Sequence, residues 1–382
     1  MPNVDANFRS WFGRFERLTF RRPDPWLALP AGALLVLGLL MVLNTTYFLG
    51  QEKTGHAFHF FKLQLMHAAI GLVLCVLLSQ FSLKGLRRLA YPLAIIAAIL
   101  MLMVWMPGVG VVRGGARRWV RFGSILTEPS ELAKLTLVFL LADLLAKRQE
   151  VVQDFQKWAV PVLLTIAPLT VLMMLQPDFG ATVMVVVISF TMLFAAGAQL
   201  KHLAIPSGAA ALLLAIQAVA KPYRLRRFTG FLDPWRTARG AGFQLIQSFI
   251  ALGAGGGWGQ GLGVGRQKMF WLPQAHTDFV FAVVVEDFGI AGALGVFVLF
   301  AMLLFRGMRI AREEPDMFAS LLAVGLTGLL SLQALINMAV VIGLVPTKGL
   351  PLPFLSYGGT SMVMTLAALG ALLALSRRPA VR

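Results

Sequence analysis

Apolar runs of about 18 residues or more recur along the whole chain, each long enough to cross the hydrocarbon core of a bilayer as a helix. In lipid every backbone N–H and C=O must find its partner within the protein, so repeated runs of this kind point to a helical bundle. Composition agrees. Of the residues 58% are hydrophobic and 13% charged, with a mean hydropathy of +0.77, which excludes an ordinary soluble domain. Spans are expected near 26–49, 61–82, 91–107, 129–146, 159–176, 180–198, 203–220, 278–305, 318–344 and 360–376. The fold class is therefore all-α: a polytopic membrane protein of about ten helices, forming one domain over 26–376. No internal repeat is evident, so an inverted-repeat transporter is not supported.

A formal net charge of +17 would suit nucleic acid. Basic residues gathered in short loops follow from the positive-inside rule alone, however, and no nucleic acid is expected. With both termini inside, the inner loops and tails hold about 18 Lys and Arg in roughly 70 residues, against about 14 in roughly 100 outside. Residues 1–25, with Arg9, Arg14, Arg17, Arg21 and Arg22, then form a cytoplasmic basic arm, and 377–382 a cytoplasmic tail. The first apolar run lacks a small-residue cleavage site and is read as a retained helix. Two outward loops remain unusually basic: 108–128, with Arg113, Arg117, Arg118 and Arg121, and 221–277, by far the longest. Basic residues there suggest an anionic ligand. A loop as long as 221–277 usually has structure or function of its own.

The stretch WLPQAHTDFVFAVVVEDFG (271–289) joins loop chemistry to a deep apolar run. Gln274, Asp278 and Glu286 would share one face of a helix, and ionisable groups in an apolar span are expensive enough to suggest function. The structural alternative is that Thr277 and Asp278 cap the helix and Glu286 forms a packing pair. Glu131 and Lys134, three apart on the fourth span, either meet in a shared cavity or act independently, with Lys134 reaching toward headgroups. Asp178, after Gln176-Pro177, either lines a cavity or accompanies a proline break.

Other motifs carry less. The segment GAGGGWGQGLGVGRQK (253–268) looks like a phosphate loop but offers no GxGxxG register and no Gly-Lys-Ser/Thr, so no nucleotide is expected. Cys75 is the single cysteine and can form no intrachain disulfide. The five histidines are scattered without zinc-like spacing.

Several stretches together resemble the SEDS (shape, elongation, division and sporulation) family: GARRW (115–119) with PSELAK (129–134), QPDFGAT (176–182), FLDPW (231–235) with GFQLIQS (242–248), AHTDFVFAVVVEDFG (275–289) and PTKGLPLPFLSYGGTS (346–361). They cover nearly the whole membrane portion. Thr347-Lys348-Gly349 resembles the division branch more than the elongation branch. The chain departs from the family pattern at Gly114, where the family has Asn, at Glu128, where it has Gln, and at Glu286-Asp287-Phe288-Gly289, where it has EELG.

The resemblance implies a glycosyltransferase that polymerises lipid II at the outer face of the cytoplasmic membrane, at the division septum. It also implies a class B penicillin-binding protein and other division proteins as partners, and makes a divalent cation (Mg or Mn) plausible. Lipid II carries a diphosphate, so its leaving group departs without protonation. The reaction needs one base for the attacking hydroxyl and positive charge for the diphosphate. Asp278 matches the family's proposed catalytic aspartate and is the candidate base. Arg117, Arg118 and Lys268 are candidates for the diphosphate clamp, interfacial anchoring being the alternative for the arginines. His276, Glu286, Glu131, Lys134, Asp178 and Ser356 complete the candidate substrate site. A lipid II flippase, or a non-catalytic division scaffold, are the competing classes. A flippase needs polar groups through the whole depth, whereas a scaffold makes Asp278 dispensable.

Overall fold

The computed structural model describes residues 24–113, 116–123, 125–204, 208, 222–347 and 349–377. Nine of the ten expected spans are helices: α1 (Pro25–Thr54), α2 (His59–Ser79), α3 (Leu83–Met103), α4 (Pro129–Lys147), α5 (Phe155–Leu175), α6 (Phe179–Ala195), α9 (Val280–Glu313), α10 (Met317–Val341) and α11 (Gly359–Ser376). The expected span at 203–220 and the arm at 1–25 lie almost wholly outside the described residues. Seven of the nine are long and apolar enough to cross a bilayer. α4 and α6 are the exceptions, and α4 buries Glu131, Lys134 and Asp143.

Local sequence sets the helix ends. Asp24 accepts a hydrogen bond from Trp26 N (2.9 Å) with Pro25 opening α1, and Gly55 closes it in the left-handed conformation. Ser82 caps α3 through Gly85 N and Asp316 caps α10 through Ala319 N. α3 consequently begins at Leu83, eight residues before the expected span, because LKGLRRLA forms its amphipathic first turns.

The bundle is organised around α10 and α11, whose most apolar windows are 78% and 72% buried, against 22% for α2, α3 and α5. α10 packs on α4, α6 and α9, and α11 packs on α2. The α2–α11 contact depends on a small residue, since a Cβ at Gly370 would lie 2.4 Å from the Cys75 carbonyl.

Residues 108–128, expected as a loop, form an antiparallel sheet of β1 (Gly110–Arg113), β2 (Ala116–Phe122) and β3 (Ile125–Thr127) in that order. Alternation of arginine with aromatic and β-branched residues suits a strand with one half-buried face, a period that a search for apolar runs does not detect. The long loop after 221 contains α7 (Pro222–Leu232) and α8 (Phe243–Gly255). The connection from α10 to α11 is irregular and buried. Asn337 Nδ2 donates to Leu350 O (2.7 Å), Gln333 Nε2 to Pro351 O (2.8 Å) and Gln64 Nε2 to Ser356 O (3.2 Å). Irregular backbone survives there because buried amides supply its missing partners.

Candidate active site

Asp278 sits in a turn two residues before α9, at the end of the bundle where the sheet, the start of α4 and the α10–α11 connection meet. The turn is fixed by backbone contacts. Ser356 Oγ donates to Thr277 O, Asn337 Nδ2 donates to Asp278 O (2.8 Å) and Tyr357 N donates to His276 O (2.8 Å). Neither Thr277 nor Asp278 caps the helix, whose N-cap residue is Phe279 with no side-chain bond. The Asp278 carboxylate accepts no hydrogen bond from any described residue. Its Oδ2 lies 3.3 Å from where a Cβ on Gly349 would stand, so Gly349 leaves the carboxylate room. Although half-buried at the surface, it is surrounded by enough protein that loss of water pushes its pKa from 3.8 up to about 6, while Arg227 and Arg118 hold it from rising further.

Arg118 joins Asp278 to a second group of charges. One guanidinium nitrogen donates to the Pro177 carbonyl, and Nη1 lies 3.7 Å from Asp178 Oδ1. Asp178 also accepts from Ala181 N (3.1 Å), so it caps α6 while facing the cluster. Glu131 and Lys134 meet: Nζ–Oε1 is 2.7 Å, and Nζ also donates to Gln333 Oε1 (2.9 Å). This pair ties α4 to α10 rather than directly to α9. Glu128, at the start of α4, is pushed from 4.5 up to about 8 by burial and by repulsion from Asp178 and Glu131, against the pull of Arg118 and Lys134. A glutamic acid there is neutral near pH 7 and takes the shape of the family's glutamine.

His276 lies against Tyr357, with ring centroids 5.9 Å apart, and burial together with nearby Lys53 lowers its pKa to about 4. It is a neutral imidazole, not a cation for phosphate. Arg117 is exposed on β2.

Three expected site residues do other work. Lys268 is expected in the diphosphate clamp but is buried, bonded to Asp287 Oδ1 (3.0 Å) and Asn44 Oδ1 (2.9 Å). Glu286 accepts through Oε1 from Arg266 N (2.8 Å) and Gln267 N (3.1 Å), which pins the loop, while its buried Oε2 has no partner among the described residues. Ser356 is buried, with its hydroxyl donating to Thr277 O and accepting from Leu352 N (2.7 Å), so its one O–H is committed to the backbone of the turn. Spacing alone could not reveal these partners, because each lies far away in sequence. The same reason hid Glu128, Arg227, Lys53, Gln333 and Asn337. Lys348 lies outside the described residues.

The donor set does not fit a protein-built divalent site. Asp278 has arginines as its nearest charges, Glu286 and Asp287 are engaged elsewhere, and no group of three His, Cys, Asp or Glu is gathered among the described residues.

The chain and its fold have counterparts among known proteins. The family model for FtsW, RodA and SpoVE, described as "Cell cycle protein", matches residues 26–380. The chain belongs to this family. It is 39% identical over 360 residues to the stage V sporulation protein E of Bacillus subtilis, covering 93% of this chain and 97% of that protein. It is 40% identical over 353 residues to the protein of Legionella pneumophila named probable peptidoglycan glycosyltransferase FtsW, covering 92% and 90%. Among solved structures, one described as "Structural coordination of polymerization and crosslinking by a peptidoglycan synthase complex" contains a chain that superposes with a TM-score of 0.76 at 31% identity, over 93% of this chain and 98% of that one. The rod shape determining protein RodA of Thermus thermophilus gives 0.66 at 28% identity, over 95% and 99%.

Proposed function

We propose that the protein is a peptidoglycan glycosyltransferase that polymerises lipid II, with Asp278 as general base. The observation that carries the reading is the Asp278 carboxylate itself: free of described hydrogen bonds, raised to about 6 and facing Arg118 and Arg227. At neutral pH it is mostly ionised yet basic enough to take a proton. Asp278 removes the proton of the acceptor sugar hydroxyl as that oxygen bonds to the anomeric carbon of the lipid-linked donor. The bond to the diphosphate breaks, and the departing oxygen keeps its electron pair beside Arg118, with Arg117 on the exposed strand drawing the anion in. A magnesium or manganese requirement, on this reading, enters with the diphosphate oxygens and not through a protein-built site.

A flippase would need charged groups free to bind along the bundle, but the buried lysines Lys268 and Lys134 are paired with Asp287 and Glu131. Polymerisation of labelled lipid II by the purified protein, alone and with a class B penicillin-binding protein, tests the assignment. No glycan under either condition would overturn it.

The names of the relatives support a role in wall synthesis, and the synthase complex supports a crosslinking partner. A septal location and partnership with other division proteins extend the same proposal. Substrate at the Asp278 end requires that end to face outward and both termini to lie inside. With buried Cys75 changed to Ser, an impermeant thiol reagent on spheroplasts should label Arg239→Cys and spare Arg312→Cys. The reverse pattern would put Asp278 on the wrong side.

A further inference from the structure

α9 is not one helix. Gly289 takes φ 68°, ψ −161° and divides it into a short segment that begins just after Asp278 and a long one that continues to Glu313. A residue with a Cβ would be strained in that conformation, and its Cβ would stand 2.5 Å from the backbone of Gly257. The glycine-rich stretch that resembles a phosphate loop fills the break. Gln260 N and Gly261 N donate to Glu286 O (2.9 Å) and Asp287 O (3.0 Å), and Ile290 N and Ala291 N donate to Gly256 O (2.9 Å) and Gly257 O (3.2 Å). The carbonyls and amides that the interrupted helix leaves open on both sides are thus answered by one glycine-rich loop, Gly256–Gly261, whose Gly256, Gly259 and Gly261 take positive φ. Glycine is required for the approach: a Cβ at Gly259 would lie 2.2 Å from Asp287 O, and one at Gly255 2.0 Å from Val285 O.

Side chains lock the splice. Glu286 holds the amides of Arg266 and Gln267, while Lys268 bridges Asp287 to Asn44 of α1. The segment bearing Asp278 is therefore held at its outer end by Asn337 and Ser356, and at its inner end by Lys268, Asp287 and Asn44. We infer that Lys268 and Asp287 are positioning residues: their buried pair, through the spliced break in α9, sets where the Asp278 carboxylate stands relative to Arg118 and Arg227. The inference rests on the glycosyltransferase reading above. Small displacements of a catalytic group cost up to about a hundredfold in rate, so the pair should matter although it touches no substrate.

Removing both charges separates alignment from folding, because a buried ion pair replaced by apolar residues of similar size usually leaves stability intact. The test is lipid II polymerisation as a function of pH by the double variant Lys268→Met/Asp287→Leu, with thermal unfolding measured in parallel. The expected result is a melting temperature close to the parent, kcat lowered about tenfold, and the acidic limb of the rate profile moved by half a pH unit or more. Loss of active molecules alone would lower the amplitude and leave KM and the limb unchanged. Should the double variant not fold, Asn44→Leu removes the hydrogen bonds that Asn44 makes to both Lys268 and Asp287 and keeps the ion pair, and the limb should move in the same sense by less. A folded variant with the parent's kcat and pH profile overturns the inference. Parent-level synthesis by Asp278→Asn would instead overturn the glycosyltransferase assignment.

Discussion

Asp143 and Asp278, at opposite ends of this bundle, are held in opposite ways. At the end where α3 begins and α4 finishes, Asp143 accepts from Arg87 Nε (2.5 Å), Tyr91 Oη (2.8 Å) and Lys147 Nζ (2.6 Å). Asp24 likewise takes both Arg306 (2.6 Å) and the amide of Trp26, so it joins α1 to α9. At the other end, the carboxylates of Asp278 and Glu128 accept no hydrogen bond from any described residue, and both are raised toward neutrality. A carboxylate surrounded by donors is held as an anion and serves packing. One that is buried with charges nearby but no direct donor can change its protonation state. The difference separates scaffold from chemistry within one fold.

The sharpest way to break that comparison is Asp278→Asn. Polymerisation of lipid II should fall by about 10²–10⁴-fold, since the shape is kept and the base is gone. Thermal stability should not fall, because no described donor loses its partner. The pH dependence has a definite sign. The folded pKa of about 6 lies above the ordinary 3.8, so the rate should drop as pH falls through about 6. The same shift means that this group's stabilising contribution is full below about 3.8 and is lost as pH rises through about 6. A rate profile flat between pH 5 and 7, on the order of one unit either side of this value, would remove Asp278 from the role of base.

Next in size is the Glu131–Lys134 pair, which shares the Asp278 end but has partners, Glu131 to Lys134 and Lys134 on to Gln333. Lys134→Met strands Glu131 in the interior and should cost about 3–5 kcal/mol of stability, as should Glu131→Gln for the opposite reason. In a double-mutant cycle the combined variant should be less damaged than the sum by at least about 1 kcal/mol. Additive small losses would mean that the two charges do not depend on each other. Asp143→Asn is the counterpart at the other end. Its partners Arg87 and Lys147 are partly exposed and can turn to water, so a loss of about 1–3 kcal/mol is expected, with kcat unchanged. A fall in kcat without loss of stability would erase the distinction between the ends.

Glu128→Gln should have the smallest effect, and it tests the reading of the unpaired group most directly. With a folded pKa of about 8, Glu128 is already a neutral acid at pH 7, so the amide should preserve activity there within about twofold. Glu128 contributes stability that is full below 4.5 and lost as pH rises through about 8. The amide should flatten that part of the stability profile, as followed by thermal unfolding. A large activity loss at pH 6.5 would show that the ionised carboxylate is needed.

Much of this was legible before any coordinates. The apolar runs located nine helices to within a few residues at most ends, because lipid admits little else at that length and hydropathy. Glu131 and Lys134 were readable as neighbours because three residues on a helix is a fixed geometry. Lys268 and Glu286 could not be placed from the sequence, because the groups that hold them, Asp287 with Asn44 and the amides of Arg266 and Gln267, come from separate elements. The glycine-rich segment offers no register for a nucleotide loop, but nothing in its composition pointed to the broken helix it repairs.

The sequence by itself determined the class of fold, the order of its spans and the candidate base, since these follow from local length, hydropathy and motif. Only the tertiary structure decided which charges answer one another: Arg118 with Asp178, Lys268 with Asp287 and Asn44, and Asp278 with no described donor. Those pairings join residues tens to hundreds of positions apart. Electrostatic energy depends on distance and burial in space, and neither is encoded in spacing along the chain.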